Sequence, residues 1–134
     1  MSMPFETAGE IVDEYLRIVM IPDPVEARKF TSPNLEIIFT GARRMSSPAD
    51  TTAFNAKRYL WVKKRIERTE TVAGGTPAET VVYSLGTLYG AWLDGTLFEG
   101  NRYVDRYVVS HGLITRQDVW NDSAERLLTP ELAG

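Results

Sequence analysis

Apolar positions near the start of the chain recur at three- and four-residue spacing. Phe5, Ala8, Val12, Tyr15 and Val19 define a stripe, Ile11, Leu16 and Ile18 widen it, and Glu6, Glu10, Asp13, Glu14 and Arg17 take the other side. This is the period of an amphipathic helix. Thr7 and Glu10 have capping-box spacing, and Pro22 marks the stop. Asp23-Pro24-Val25-Glu26 starts a short second helix: Asp23 can cap, Pro24 fits the first turn, and Glu26 can reach back. That helix runs to about Thr31, with Pro33 ending it. Residues 35–40 read as a strand closed by Gly41.

Ser47-Pro48-Ala49-Asp50 repeats the helix-start chemistry and predicts a third helix over residues 49–62, with Ala53, Phe54, Ala56, Leu60 and Trp61 in its apolar part. From about Lys63 the pattern shifts toward strand through Ile66, Thr69, Thr71 and Val72, and residues 73–77 (AGGTP) form a turn. A long strand follows over residues 79–93, then a hairpin-type turn at Asp94-Gly95. The stretch "RYVDRYVVSHGLITRQDVWND" (residues 102–122) reads as two further strands joined at His111-Gly112. Asp122 can cap a short last helix with Glu125 at its third position. Helices set apart from a run of strands predict an α+β domain over residues 1–134. In it a curved antiparallel sheet wraps the N-terminal helices and leaves a cavity at its mouth.

Composition narrows the chemistry. The chain has 134 residues, 43% of them apolar, with a formal net charge of -3, no cysteine and one histidine. Disulfides, thiol catalysis and cysteine metal sites are excluded, and His111 alone cannot build a multi-histidine centre. No signal peptide and no membrane-length apolar run is visible, so the expectation is a cytoplasmic protein with no membrane and no cofactor. "KRYLWVKKR" (residues 57–65) mixes cations with Tyr59 and Trp61, as a single-strand nucleic-acid platform would. The net negative charge favours a solvated face instead, and no nucleic-acid partner is expected. No phosphate loop, dinucleotide fingerprint, nucleophile elbow or helical zinc motif is present, and Asp94 with Glu99 make too sparse a set for a metal.

In this order, "EYLRIVMIPD", "GTLYGAW", "YVDRYVVSHGLI" and "VWND" resemble the nuclear-transport-factor-2-like superfamily, in its SnoaL-like and ketosteroid-isomerase-like branch. The resemblance implies a cone-shaped α+β fold, a homodimer through the outer sheet face, and a small apolar ligand. Among its activities are cofactor-free isomerisation, cyclisation and dehydration by proton transfer. It places Tyr15 at the family's first-helix oxyanion donor and Asp105 at the penultimate-strand acid. Around the first strand, where the isomerases keep their base, this chain has Ile37, Ile38, Phe39 and Thr40, with Glu36 the one acid. Leu88 stands where the cyclases carry a histidine.

Alternation puts Tyr103, Asp105, Tyr107 and Val109 on one face of their strand, and the resemblance turns that face inward. Asp105 and Tyr15 are the candidate catalytic residues. Trp92, Leu88, Val119, Asn121, Phe39 and Gln117 are candidate pocket residues. Val82, Ser84, Gly86, Leu88, Gly90 and Trp92 share the inward face of the long strand, where glycines allow a bend or a close ligand. Arg116, Asp118 and Trp120 face a dimer partner. Among aromatic rings Asp105 would be a neutral hydrogen-bond donor; beside Arg58 or Arg102 it would stay ionised as a base, or serve as half of a structural ion pair. The alternative to an enzyme is a non-catalytic binding or assembly module of the same fold.

Overall fold

The computed structural model describes residues 7–125. Phe5 of the first apolar stripe, Glu6 of its polar side, and any continuation of the last helix past Glu125 lie outside the described residues. Helix α1 (Ala8–Val19) starts where Thr7 Oγ1 accepts from the Glu10 backbone N–H at 3.1 Å and donates to the Glu10 carboxylate at 2.9 Å. The cap thus forms, with Glu10 meeting the threonine hydroxyl itself. Ile11, Val12, Tyr15, Leu16, Ile18 and Val19 are buried, as their spacing predicts. Asp23 caps α2 (Pro24–Ala27) by accepting from Glu26 N–H at 3.1 Å, and a 3-10 turn, Arg28–Phe30, leads into β1 (Thr31–Phe39).

Strand β1 starts earlier than its apolar run. Pro33 and Asn34 are exposed within a register shift between Thr31 and Glu36, so the proline's missing N–H costs no ladder bond. A short edge strand, β2 (Arg43–Met45), folds back on β1 and has no apolar pattern to announce it. Helix α3 (Pro48–Ala56) is capped by Ser47, whose hydroxyl accepts from Asp50 N–H at 3.2 Å. It is shorter than the predicted 49–62. Residues 59–62 instead open β3 (Tyr59–Ala73), where Tyr59 pairs with Trp92, Trp61 with Ala91 and Val62 with Gly90. Aromatic and β-branched side chains there favour a pleated ladder over a helix.

Strands β4 (Glu79–Trp92), β5 (Leu97–Ser110) and β6 (Leu113–Asn121) complete a six-stranded sheet of order β2-β1-β6-β5-β4-β3. The β5–β6 turn has positive φ at both His111 (52°) and Gly112 (78°), as a tight two-residue hairpin turn requires. The sheet is mixed rather than wholly antiparallel: β1 runs parallel to β6, because the chain returns beside its first strand only after the long meander. β2 and β3 remain as open edges, so the α+β cone is not closed into a barrel.

Two glycines bend the sheet. A Cβ on Gly86 would lie 2.0 Å from the Arg65 carbonyl oxygen, and one on Gly90 would lie 2.3 Å from that of Trp61. Both sit beside register shifts in β3, so the missing side chains are filled by neighbouring backbone as β3 curls over β4. Helix α1 lies across the concave face, and Val12, Tyr15, Leu16 and Val19 join Ile37, Phe39, Val82, Tyr107, Ile114 and Val119 in one core.

Candidate functional site

Alternation along β5 buries Tyr103, Asp105, Tyr107 and Val109 together. Asp105 is fully shielded from solvent and pairs across the sheet with Ser84 on one side and Val119 on the other. Its Oδ2 accepts from the Lys64 ammonium and from the Tyr107 hydroxyl at 3.1 Å. Gln117 Nε2 donates to the Tyr107 oxygen at 3.1 Å, extending the chain. Asp105 Oδ1 is buried and has no hydrogen-bond partner among the described residues. The Lys64 nitrogen lies 4.6 Å from the centre of the Tyr103 ring, and the Tyr103 hydroxyl shares a hydrogen bond of 2.9 Å with Ser84.

This network perturbs its phenols. Burial, then the nearby Asp105 charge, holds the Tyr15 hydroxyl far above the ordinary phenol range. The same two influences raise Tyr107. Burial pushes Tyr103 up to about 12, against the Ser84 hydrogen bond that favours its ionised form. All three are neutral donors at physiological pH.

A cavity of about 50 Å³ lies between α1, α3 and the concave sheet face. One water needs roughly 10–15 Å³ of such space, so the cavity holds a few waters, and a larger guest requires side chains to move. Tyr15, Leu88, Val119, Asn121, Phe39 and Gln117 all line it. Asp105 does not: it sits behind Lys64, whose side chain is 10% exposed against 0% for the acid. Trp92 lies outside the lining and stacks on Tyr59 at 5.2 Å and on Phe98 at 4.4 Å. Arg102 pairs with Asp122 at the surface, so neither it nor Arg58 is the partner of Asp105.

Lys64 and Arg58 line the cavity, and both come from the stretch read as a solvated face. Lys64 stands directly opposite Leu88 in the β3–β4 ladder, and partners across a ladder share a face. The register of that hairpin would have turned Lys64 inward beside a residue already assigned to the pocket.

Solved structures share this fold over most of the chain. An NTF2-like protein of Burkholderia thailandensis superimposes with a TM-score of 0.72 at 18% identity, covering 97% of this chain and 99% of the other. An NTF2-like protein of unknown function from Burkholderia pseudomallei gives 0.70 at 14% identity, over 92% and 97% of the two chains. The fold is nuclear-transport-factor-2-like. A Pseudomonas putida protein described as a polyketide cyclase shares this nuclear-transport-factor-2-like fold, with a TM-score of 0.62 at 16% identity over 87% and 92% of the chains. No protein-family model and no curated protein sequence matches the chain. At such identities the likeness carries the architecture, and any reaction must be argued from the side chains. Within the nuclear-transport-factor-2-like cone, this chain places Lys64 at the cavity wall with Asp105 buried behind it. Among the described residues that line the cavity there is no carboxylate and no imidazole.

Proposed function

We propose that the protein binds a compact, largely apolar molecule through an oxygen atom held by Lys64. The observation that carries this reading is the Lys64 ammonium at the cavity wall, fixed from behind by Asp105 and nearly excluded from water. Asp105 is then a positioning residue, and Lys64 is the group that meets the ligand. In a low-dielectric site a fixed ammonium stabilises a developing enolate or alkoxide far more than it does in water. Tyr15, a neutral phenol on the same cavity, adds a second donor. These donors suit cofactor-free isomerisation, cyclisation or dehydration of a carbonyl- or hydroxyl-bearing substrate, and the likeness to the protein described as a polyketide cyclase supports that class.

The second reading is a non-catalytic binding module. It is favoured by the cavity lining, where the described residues bring no carboxylate or imidazole within direct reach of a ligand proton. A thermal-shift screen of small carbonyl compounds tests the binding step, since a ligand specific for the folded state raises Tm. Hits should weaken in Lys64→Met; hits that bind Lys64→Met and Asp105→Asn as well as the parent place the ligand elsewhere. Catalysis is then read by NMR, as deuterium entering the carbon next to the carbonyl of a bound hit. No exchange above the protein-free rate leaves the binding module standing. The reading includes a homodimer through the outer sheet face, where Val104 pairs with a 49% exposed Trp120.

A further inference from the structure

Arg58 follows the Lys57 cap of α3 and turns its guanidinium among three rings, 4.9 Å from the centre of Phe39, 4.8 Å from Phe54 and 4.9 Å from Tyr59. Its Nη2 is sealed from solvent and makes no hydrogen bond among the described residues. No carboxylate among those residues lies within ion-pair distance of it. Burial disfavours its charge, Tyr59 partly compensates, and Arg43 adds repulsion. An arginine does not escape such a site by losing its proton. Arg58 is half-buried, and a guanidinium nitrogen sealed from water without an acceptor is costly unless a ligand or another group supplies one.

The cavity's charges define that counter-charge. Among the described residues two cations line it, Arg58 and Lys64, and no acid does. Lys64 is neutralised by Asp105 from behind, whereas no carboxylate among the described residues pairs with Arg58. The lining therefore carries one net positive charge at Arg58, matched by a monoanion. Asn55 and Asn121 reach the same cavity. The Asn121 carbonyl oxygen is engaged by Ala124 N–H at 3.2 Å, which leaves its amide nitrogen as a donor. Ile37, Phe39, Leu88 and Val119 form apolar walls of the same cavity.

We propose that Arg58 is an anion anchor and that the ligand is a small monocarboxylate with an apolar body. The guanidinium presents a planar fork whose geometry matches a carboxylate, while the rings stacked on it hold that fork in place. This rests on the reading that the cavity binds a small molecule, and it adds the charge and class of that molecule. The carboxylate sits on Arg58, and the apolar body lies along Phe39, Leu88 and Val119 toward Lys64.

The experiment compares probes of equal shape and different charge on the parent protein by calorimetry: trans-cinnamate and hexanoate against cinnamamide and hexanamide. Each carboxylate should bind at least about 10-fold more tightly than its amide, a difference of about 1.4 kcal/mol. That preference should vanish in Arg58→Gln and survive in part in Arg58→Lys. Acid and amide binding equally to the parent overturns the anchor and leaves the small-ligand reading intact. A preference that persists undiminished in a folded Arg58→Gln overturns it too. Binding by none of the four probes at millimolar concentration overturns both. The parent comparison stands by itself if Arg58→Gln does not fold.

Discussion

Removing the Lys64 ammonium would leave Asp105 sealed from water with the Tyr107 hydroxyl as its remaining donor. Breaking one half of a buried pair costs about 3–5 kcal/mol, because the other charge stays desolvated. Lys64→Met should therefore lose about that much stability in urea unfolding. Lys64→Met combined with Asp105→Leu should recover most of it while ligand binding stays lost. A double variant as unstable as the single one would assign the cost to packing. The phenols give a second residue-scale expectation. An unfolded tyrosine ionises near pH 10, and Tyr103 in the fold near 12, so between those values the unfolded chain releases a proton that the folded one keeps. Stability falls with rising pH through that window by about 1.4 kcal/mol per pH unit per phenol, and is unaffected below it. Tyr15 and Tyr107 are shifted in the same direction and steepen the fall. Urea midpoints at about pH 9 and pH 11 check this, and equal midpoints contradict it. At this scale Asp105 was legible, since an acid at the centre of a β-rich inward face has few explanations. Lys64 was not, because a lysine in a run of cations looks the same whether its strand faces water or a cavity.

Strand β3 shows what a local pattern can and cannot say. Residues 59–62 carry apolar side chains at spacings compatible with either period, and only the ladder with β4 settles them as strand. The bend in that hairpin is written in Gly86 and Gly90, which the pattern marks without telling a curved sheet from a close ligand. The Arg65 and Trp61 carbonyls occupying those spaces decide for curvature. Gly86→Ala should cost about 1–3 kcal/mol by forcing β3 off β4. Gly75→Ala, whose new methyl would meet only the end of the Glu79 side chain at 3.4 Å, should stay within about 0.5 kcal/mol. Thermal melts of the two variants make the comparison, and equal losses would remove the bend as the cause.

For the whole molecule, the order of helices and strands was enough for the α+β class, while the parallel β1–β6 pair was hidden, since neighbours distant in sequence leave no local trace. The outer sheet face yields an expectation of its own. Trp120→Glu places a charge where a homodimer would bury an aromatic ring, so sedimentation should show monomers at concentrations where the parent is dimeric. A parent already monomeric at high concentration would sink the dimer. The parallel pair also sets an order of assembly. β1 has β2 on one side, and its other side waits for β6, which carries Gln117, Val119 and Asn121. Contacts so far apart in sequence are slow to close. Until they close, the meander can pair with itself while the β1 side of the cavity wall, Ile37 and Phe39, is still missing. The ability to hold a ligand should therefore emerge with the slowest phase of refolding, after most of the backbone signal has returned, and a ligand present from the start can select only chains that have finished.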